Sequence, residues 1–155
     1  MPDVVDTKTR SRMMAGIRGI DTKPEMLVRR GLHLRGFRYR LHVKELPGKP
    51  DLVFRSKKAV VFINGCFWHG HNCRLFKWPS SRVDFWRQKI SGNQARDIRN
   101  TEQLLEAGWR VLIIWECALK GRERLPVDTV LERAAVWLRK GARFTEIRGT
   151  LNGGR

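Results

Sequence analysis

Residues 64–73 carry the side chains of this 155-residue chain that are best suited to chemistry. The run reads Asn-Gly-Cys-Phe-Trp-His-Gly-His-Asn-Cys and so contains two cysteines and two histidines. Thiolate and imidazole groups are the ligands that zinc and related transition metals prefer in proteins. Their density predicts a metal site, most simply zinc, on a loop that follows an apolar strand. The neighbouring Phe67 and Trp68 would then be displayed on a rigid platform.

The composition indicates a polyanionic partner. Lys and Arg total 32 against 15 for Asp and Glu, which gives a net charge of +17. Basic residues are interleaved with six Trp and seven Phe, which favours a folded domain over a disordered basic tail. Nucleic acid is the commonest partner of such a surface. An anionic membrane is the alternative, although no apolar run approaches the roughly 20 residues of a spanning helix.

Cysteine usage indicates the cellular compartment. The chain has three cysteines, an odd number that argues against a disulfide framework. Thiols that serve as metal ligands fit a reducing environment. The first residues, Met-Pro-Asp-Val-Val-Asp, lack the character of a signal peptide. We therefore expect a cytoplasmic protein.

Local signals in the first half of the chain predict a helix and then three strands. A capping box with Pro at the first helical position, Thr22 to Glu25, starts a helix that ends at Gly36. The strand-like runs that follow are Phe37–Val43, Asp51–Phe54 and Ala59–Ile63.

The second half is expected to hold helix, strand and helix. These are a helix from about Ser81 that is interrupted at residues 91–93 and resumes from Gln94 to Ala107, a strand at Trp109–Trp115 and a helix at Val127–Lys140. The strand is apolar nearly throughout, so it is expected at the centre of the sheet.

The resulting order, αβββαβ, predicts an α/β fold with a mixed central sheet flanked by helices. The first three strands can pair antiparallel through short turns, whereas the last needs a helical crossover and joins in parallel. The same order occurs in the restriction-endonuclease core. We expect a basic N-terminal arm at residues 1–20, one domain at 21–148 and a loose tail at 149–155.

Asp51 is the first candidate for catalysis. It follows Pro50 at the opening of the second predicted strand. A carboxylate at the edge of a sheet on a cationic protein could hold Mg²⁺ against a phosphodiester. Pro-Asp at a turn is more often structural, so both interpretations stay open on this signal alone. The restriction-endonuclease core has its acidic residue at the start of this strand, which favours the functional one.

Three segments carry a resemblance to a known family. They are Pro50-Asp51, the run Gly-Cys-Phe-Trp-His-Gly-His at 65–71 and the run Gly-Trp-Arg-Val-Leu-Ile-Ile-Trp-Glu-Cys at 108–117. The chain resembles the very-short-patch repair endonucleases, strand-specific nickases that act on T·G mismatches left by deamination of 5-methylcytosine. The resemblance extends from Thr9 to about Lys140. It implies a double-stranded DNA substrate with a T·G mismatch and a nick 5′ of the thymine.

The resemblance and the residues together define a zinc set. Cys66, His71 and Cys73 lie on one loop, and Cys117 follows the last predicted strand. Three cysteines and one histidine form a closed structural site with no open position for water. The alternative for Cys117 is a thiol buried in the core.

The resemblance also implies a catalytic set. Asp51 and the backbone carbonyl of Ile63 would hold Mg²⁺, and His69 would activate water or transfer its proton. Ala59–Ile63 lacks the second acid and the lysine of the general fold, as expected for the mismatch nickases. The family allows an ionisable residue where this chain has Asn64. The amide can hydrogen-bond a phosphate or a metal-bound water but cannot act as a base, so more of that task falls on His69.

Two further carboxylates have competing interpretations. Glu25 resembles the acid of the family that bonds a metal-bound water, and it also belongs to the predicted capping box. Asp97 could orient His69, as carboxylates orient catalytic imidazoles, or could be a solvated helix charge.

The aromatic residues fall into two groups. Phe67, Trp68 and Trp86 match the wedge that enters the base stack beside the mismatch in this family. Unstacking costs least at a mismatched step, which supports selectivity. Met14, on the basic arm, is expected to insert from the opposite groove as the arm orders on DNA. The other tryptophans at periodic positions, Trp109, Trp115 and Trp137, are expected in the core.

The function predicted from the sequence is a Mg²⁺-dependent mismatch endonuclease with structural Zn²⁺. Two alternatives are a non-catalytic zinc-containing DNA-binding module, favoured by Asn64, and a restriction-type endonuclease of the same fold. We expect a monomer that associates with the bacterial nucleoid and cooperates with mismatch-repair proteins and a DNA polymerase. No membrane partner is expected.

Overall fold

The structure is a computed structural model that describes residues 21–150. Its helices are α1 (Lys23–Leu34), α2 (Val83–Glu106) and α3 (Val127–Lys140). Its strands are β1 (Arg40–Leu41), β2 (Leu52–Phe54), β3 (Ala59–Asn64), β4 (Arg110–Trp115) and β5 (Phe144–Ile147). The predicted arm at 1–20, with Met14, and the end of the predicted tail at 151–155 lie outside the described residues.

The strands form one mixed sheet in the order β1-β2-β3-β4-β5. The β1–β2 and β2–β3 pairs are antiparallel, whereas β3–β4 and β4–β5 are parallel. The prediction of a mixed sheet that β4 joins in parallel is therefore confirmed. Asn64 pairs with Trp115, so β3 and β4 end side by side. This register places the loop after β3 and the turn after β4 at the same edge of the sheet.

Alternation along the central strands separates two apolar layers. Leu112 and Ile114 of β4 belong to the layer formed with α1 and α3. Val111 and Ile113 belong to the opposite layer, to which α2 contributes Leu104. Helices on both faces explain why β4 is apolar nearly throughout, because both sets of its side chains are buried.

The start of α1 follows the predicted capping box with one change. The Thr22 hydroxyl accepts a hydrogen bond of 3.4 Å from the Glu25 amide. The Glu25 carboxylate accepts a bond of 3.1 Å from the amide of Asp21 rather than that of Thr22. Glu25 is thereby anchored at the first turn with 1% exposure.

Two predicted element boundaries were wrong. Only Arg40–Leu41 of the run Phe37–Val43 pairs as a strand, because the backbone turns at His42 with φ of 47°. Helix α2 continues through Ser91-Gly92-Asn93 without interruption. A glycine costs a helix only about 1 kcal/mol. The buried Ile90 and the contacts of the helix with the loop after β3 outweigh that cost.

The C-terminal region was also predicted incorrectly. Phe144–Ile147 forms a fifth strand that pairs in parallel with β4. The Trp115 indole donates a hydrogen bond of 2.7 Å to Glu146 in this strand. Residues 149 and 150, the first two of the predicted loose tail, are anchored. The Gly149 amide donates to the Cys117 sulfur over 3.3 Å, and the Thr150 amide donates to the Glu123 carbonyl over 2.8 Å.

The prediction for the periodic tryptophans is confirmed. Trp109, Trp115 and Trp137 are 7%, 7% and 5% exposed. Each lies within an apolar cluster on one of the two faces of the sheet.

Candidate active site and metal centre

A cleft of about 810 Å³ opens where the loop after β3 leaves the sheet. Asp51, His69 and Asp97 line it, together with Phe67 and Trp68 from the same loop as His69. The first turn of α1 forms another wall. The structure thus brings predicted catalytic and aromatic residues from the start of β2, the loop after β3 and α2 to one surface.

Asp51 lies at the start of β2 and is directed towards β3. Its Oδ2 accepts a hydrogen bond of 2.7 Å from the Ile63 amide, and its side chain is 18% exposed. Burial raises the pKa of Asp51 from 3.8 to about 6, although the bond from Ile63 favours the ionised form. A carboxylate that burial makes reluctant to ionise gains from a cation placed beside it. The chemistry of this oxygen site therefore fits Mg²⁺.

His69 and Asp97 form a carboxylate–imidazole pair. The Nδ1 atom of His69 lies 2.5 Å from Oδ2 of Asp97. An ionised carboxylate only accepts hydrogen bonds, so Nδ1 carries the proton and Nε2 carries the lone pair in the neutral ring. The two side chains remain 25% and 34% exposed. This arrangement can accept a proton from a water in the cleft.

A second carboxylate–imidazole contact lies beside Asp51. His42 Nε2 is 2.7 Å from Oε2 of Glu25 and 3.9 Å from Oδ1 of Asp51. Arg29 donates to the same Glu25 oxygen over 3.0 Å and to Asp21 over 2.7 Å. Asp21, Glu25 and His42 bring possible metal ligands within 4.8 Å of one another, but the Arg29 guanidinium already supplies a cation there.

Asn64 and Ile63 end β3 at the floor of the cleft. Asn64 is 8% exposed, and its amide side chain has no ionisable proton. Ile63 is held against Asp51 by its own N–H group. The two residues thus lie where the sequence predicted, and their catalytic roles stay predictions.

The four predicted zinc ligands converge behind the loop. The ligand atoms of Cys66, His71, Cys73 and Cys117 all lie within 4.8 Å of one another. His71 Nδ1 is 3.5 Å from the Cys66 sulfur and 3.6 Å from the Cys117 sulfur. Tetrahedral zinc, with bonds of about 2.3 Å to sulfur and about 2.0 Å to nitrogen, separates such atoms by roughly 3.5 Å. The cluster can hold a metal, and its dimensions fit zinc.

The protein surroundings of this cluster favour a bound cation. Hydrogen bonds from Cys66 and His71 lower the pKa of the Cys117 thiol to about 4, although burial opposes them. The bond to Cys117 and burial raise the pKa of the Cys66 thiol. The Cys117 amide donates to the Cys66 sulfur over 3.3 Å. Backbone N–H groups that point at sulfur support thiolate ligands.

Helix α2 holds the segment that carries His69. The Asn93 side chain donates to the Trp68 carbonyl over 2.8 Å, and Gln94 donates to the His69 carbonyl over 3.3 Å. Gly70 has φ of 59°, and a Cβ there would lie 2.5 Å from the Gln94 amide nitrogen. Glycine favours this backbone conformation, and any larger residue would have to displace Gln94 and Ile90. These contacts require α2 to be continuous, whereas the sequence predicted an interruption at residues 91–93.

The predicted wedge forms an aromatic cluster at the rim of the cleft. Ring centroids of Phe67 and Trp68 are 5.3 Å apart, and the Trp86 centroid lies 5.3 Å from Phe67 and 5.8 Å from Trp68. Phe76 stacks on Phe67 at 5.8 Å and extends the cluster. All three predicted wedge residues are half-buried, so the rings pack against one another and remain partly accessible to solvent.

Sequence reasoning missed several side chains of the cleft. His42 stood in an alternating strand pattern, which gave no sign that its backbone turns towards Glu25. Lys23, Lys49 and Lys120 line the cleft and can face phosphate, but they were hidden among 32 basic residues. Only the high density of positive charge could have hinted at them.

These features define a class of protein. A cationic protein whose cleft combines a buried carboxylate, a carboxylate–imidazole pair and an aromatic cluster has the groups needed to hydrolyse a phosphodiester in nucleic acid. Within residues 21–150, the helices are too short or too polar to cross a membrane.

Comparisons with known proteins identify the family. Residues 2–75 match the family model described as DNA mismatch endonuclease Vsr. The chain is 46% identical over 138 residues to the DNA mismatch endonuclease Vsr of Escherichia coli, covering 89% of this chain and 88% of the relative. It is 48% identical over 119 residues to the type II nicking enzyme V.XorIIP of Xanthomonas oryzae, covering 77% and 88%. The type II nicking enzyme V.NmeAIP of Neisseria meningitidis is 48% identical over 129 residues, covering 81% and 92%.

The chain therefore belongs to the Vsr family of DNA mismatch endonucleases. It is a DNA endonuclease with a mixed α/β fold and a cysteine–histidine cluster that could hold a metal. The resemblance seen in the sequence is confirmed by these matches.

Proposed function

We propose that the chain is a Mg²⁺-dependent nickase that cuts 5′ of the thymine in a T·G mismatch, with a structural Zn²⁺. The mismatch would arise from deamination of 5-methylcytosine, and the nick would start very-short-patch repair. One observation carries this proposal: Asp51 and the His69–Asp97 pair line a cleft at whose rim Phe67 and Trp68 lie. Chemistry and recognition of distorted DNA would thus occur at one cleft.

Mg²⁺ would be held by Asp51 and the Ile63 carbonyl at the floor of the cleft. When bound, the metal supplies positive charge that stabilises the phosphodiester in its pentavalent transition state. Asn64, which lines the cleft, would hydrogen-bond a water or a phosphate oxygen beside the metal. Glu25, buried next to His42, would hydrogen-bond a metal-bound water. Lys23, Lys49 and Lys120 would bind the neighbouring phosphates.

His69 would handle the proton of the attacking water. Its Nδ1–H group is held by Asp97, which leaves Nε2 to accept a proton as the water attacks phosphorus. The Asp97 carboxylate would also stabilise the imidazolium that forms. Because Asn64 cannot accept a proton, this chain relies on His69 for the task.

The zinc site would hold the catalytic loop in place. Cys66, His71 and Cys73 belong to that loop, and Cys117 follows β4 on the neighbouring strand. A closed site of four protein ligands has no position for a substrate water, so its contribution would be folding free energy.

The aromatic cluster would select the mismatch. Phe67, Trp68 and Trp86 would enter the stack beside the T·G pair, where a base step opens at least cost. Non-specific affinity would come from the net charge of +17, independently of the wedge.

The order of helices and strands supports a more specific fold assignment. The order from α1 to β4 is αβββαβ, with Asp51 at the opening of the second strand, which supports a restriction-endonuclease-like core. We propose one endonuclease domain at residues 21–148 that acts as a monomer. The arm at 1–20, with Met14, would order on DNA. Mismatch-repair proteins and a DNA polymerase would cooperate with the enzyme on the bacterial nucleoid.

The test uses end-labelled duplexes, matched and T·G-mismatched in several sequence contexts, with and without Mg²⁺. We expect a single cut 5′ of the mismatched thymine that requires Mg²⁺. Binding to mismatched DNA without a cut would indicate a non-catalytic module. Cutting of matched duplexes on both strands would indicate a restriction-type activity, and either result would contradict the proposal.

A further inference from the structure

His42 lies in the cleft of the proposed active site, between two carboxylates from different elements. Its Nε2 is 2.7 Å from Oε2 of Glu25 on α1 and 3.9 Å from Oδ1 of Asp51 on the approach to β2. Its own amide donates to the Asp51 carbonyl over 3.0 Å. The residue therefore contacts Asp51 through the backbone and Glu25 through the side chain.

We infer that His42 is a positioning residue that holds the buried Glu25 carboxylate next to Asp51, at the wall of the cleft that His42 lines. The inference rests on the proposed function, because it gives Glu25 and Asp51 a task at the metal. It adds His42 to the residues that support the metal site and explains why an imidazole lies there.

Because Glu25 is buried, its carboxylate depends on the hydrogen bond from His42. The Glu25 side chain is 2% exposed and that of His42 is 12% exposed, so water is largely excluded from the bond. A buried carboxylate needs donors on its oxygens. Oε2 of Glu25 accepts from Arg29 over 3.0 Å as well as from His42, whereas Oε1 accepts from the Asp21 amide. Arg29 draws Glu25 towards Asp21, and His42 is the donor on the side that faces Asp51.

The backbone at His42 provides independent support. Its φ of 47° lies in the left-handed region, which glycine and asparagine tolerate better than most side chains. If this position served only the turn, glycine or asparagine would be expected there. An imidazole in this conformation is explained if its N–H bond to Glu25 serves the site.

The arrangement differs from the pair formed by His69 and Asp97. There the carboxylate is more exposed than the imidazole, at 34% against 25%, and orients the imidazole. Around His42 the order is reversed, since the carboxylate is the more deeply buried partner. The imidazole, which lines the cleft, is then the group that orients, and the buried carboxylate is the group held in place.

Two substitutions separate the hydrogen bond from the backbone. His42→Asn tolerates the left-handed conformation, but its shorter side chain cannot reach Glu25. His42→Gln keeps an N–H donor of greater reach. His33→Asn replaces an exposed histidine of α1 away from the cleft and serves as the matched control.

Three measurements are made on each variant: the single-turnover nicking rate on a T·G duplex, Mn²⁺ affinity by electron paramagnetic resonance, and the melting temperature. We expect His42→Asn to lose roughly 10- to 100-fold in rate and in Mn²⁺ affinity, as for other residues that support metal ligands. Its melting temperature should fall by only a few degrees, because Arg29 and the Asp21 amide still donate to Glu25. His42→Gln should lose less in both quantities.

Two outcomes would overturn the inference. One is a His42→Asn protein that nicks and binds Mn²⁺ like the His33→Asn control. The other is an equal loss in His42→Asn and His42→Gln, because a donor of the right reach would then bring no benefit. Asp51→Asn, measured in parallel, separates this inference from its basis. Normal nicking by Asp51→Asn would contradict the proposed function, whereas an inactive Asp51→Asn with a normal His42→Asn would contradict the inference alone.

Discussion

His69 and His71 are two positions apart and have the same side chain, yet they lie in different environments. His71 is 9% exposed, and its ring stacks on Trp115 with centroids 3.9 Å apart. Its Nδ1 faces the sulfur atoms of Cys66 and Cys117. The His69 side chain is 25% exposed and faces Asp97 at the edge of the cleft.

Neighbouring residues of one loop can therefore have different roles, one in the stability of the fold and the other in the reaction. His71 belongs to a closed set of buried ligands, so changes around it should act on folding. His69 belongs to an open cleft, so changes around it should act on rate. Gly70 lies between them with φ of 59°, which marks the turn that separates the two environments.

The strongest test of this division is Cys73→Ser. Removing a ligand from the cluster should lower the zinc content and reduce the free energy of unfolding by several kcal/mol, because structural zinc contributes directly to folding. Metal analysis and a thermal melt measure both quantities. The neighbouring exposed Asn72→Ser is the control. A zinc-free wild type that melts as the zinc-loaded protein does would remove the cluster from its structural role.

Asp51→Ala should produce the opposite pattern. We expect nicking to fall by roughly 10³-fold or more, since a catalytic metal supplies several kcal/mol of charge stabilisation. Binding to mismatched DNA should be largely retained, because the metal serves the transition state more than the complex. Single-turnover assays and a gel-shift titration provide the comparison. Near-normal cutting in Mg²⁺ would remove Asp51 from the mechanism.

The burial of Asp51 also predicts a pH dependence of stability. Its pKa is raised from 3.8 to about 6 in the fold, so the folded state favours the protonated acid. The stabilisation from this protonation is present below pH 4 and is lost as the pH rises through 6. In Mg²⁺-free buffer without chelator, Asp51→Asn should therefore gain stability relative to the wild type across this range, by up to about 3 kcal/mol. Denaturant melts at several pH values measure the gain, and a difference independent of pH would contradict it.

Asp97→Asn tests whether the reactivity of His69 depends on its contact with Asp97 in the cleft. The amide can still contact His69, but it no longer favours the Nδ1–H tautomer or a charged ring. We expect the nicking rate to fall roughly 10- to 100-fold. The melting temperature should change little, because the Asp97 side chain is 34% exposed. Asp84→Asn, exposed on the same helix, is the control, and equal rates in the two variants would show that Asp97 does not orient His69.

Trp68→Ala is expected to have the smallest effect and addresses recognition. A stacking contact is worth on the order of 1–3 kcal/mol, so the affinity ratio of mismatched to matched DNA should fall by roughly tenfold. Affinity for matched DNA should keep its salt dependence. Titrations at two salt concentrations and a melt are compared with Trp78→Ala, which is 44% exposed. A large loss of stability with an unchanged ratio would make Trp68 a packing residue.

Much of the fold was readable because its signals are local. The bounds of α3 were predicted as observed, since its apolar spacing ends at Gly141. The break in α2 was wrong because Ser91-Gly92-Asn93 has low intrinsic helicity, which long-range contacts override. β5 was missed because its strand character comes from pairing with β4 at a distance along the chain.

The amino-acid sequence alone specified which chemical groups this protein has: its net charge, its three thiols, the cysteine- and histidine-rich loop at 64–73 and the apolar residues of β4. These follow from residue types and short spacings. The tertiary structure decided which groups meet. Parallel pairing of β3 with β4 brought Cys117 to the loop, and the turn at His42 brought its imidazole to Glu25. Such contacts depend on strand register and on backbone turns, which are settled by the packing of the whole sheet and leave no mark in local sequence.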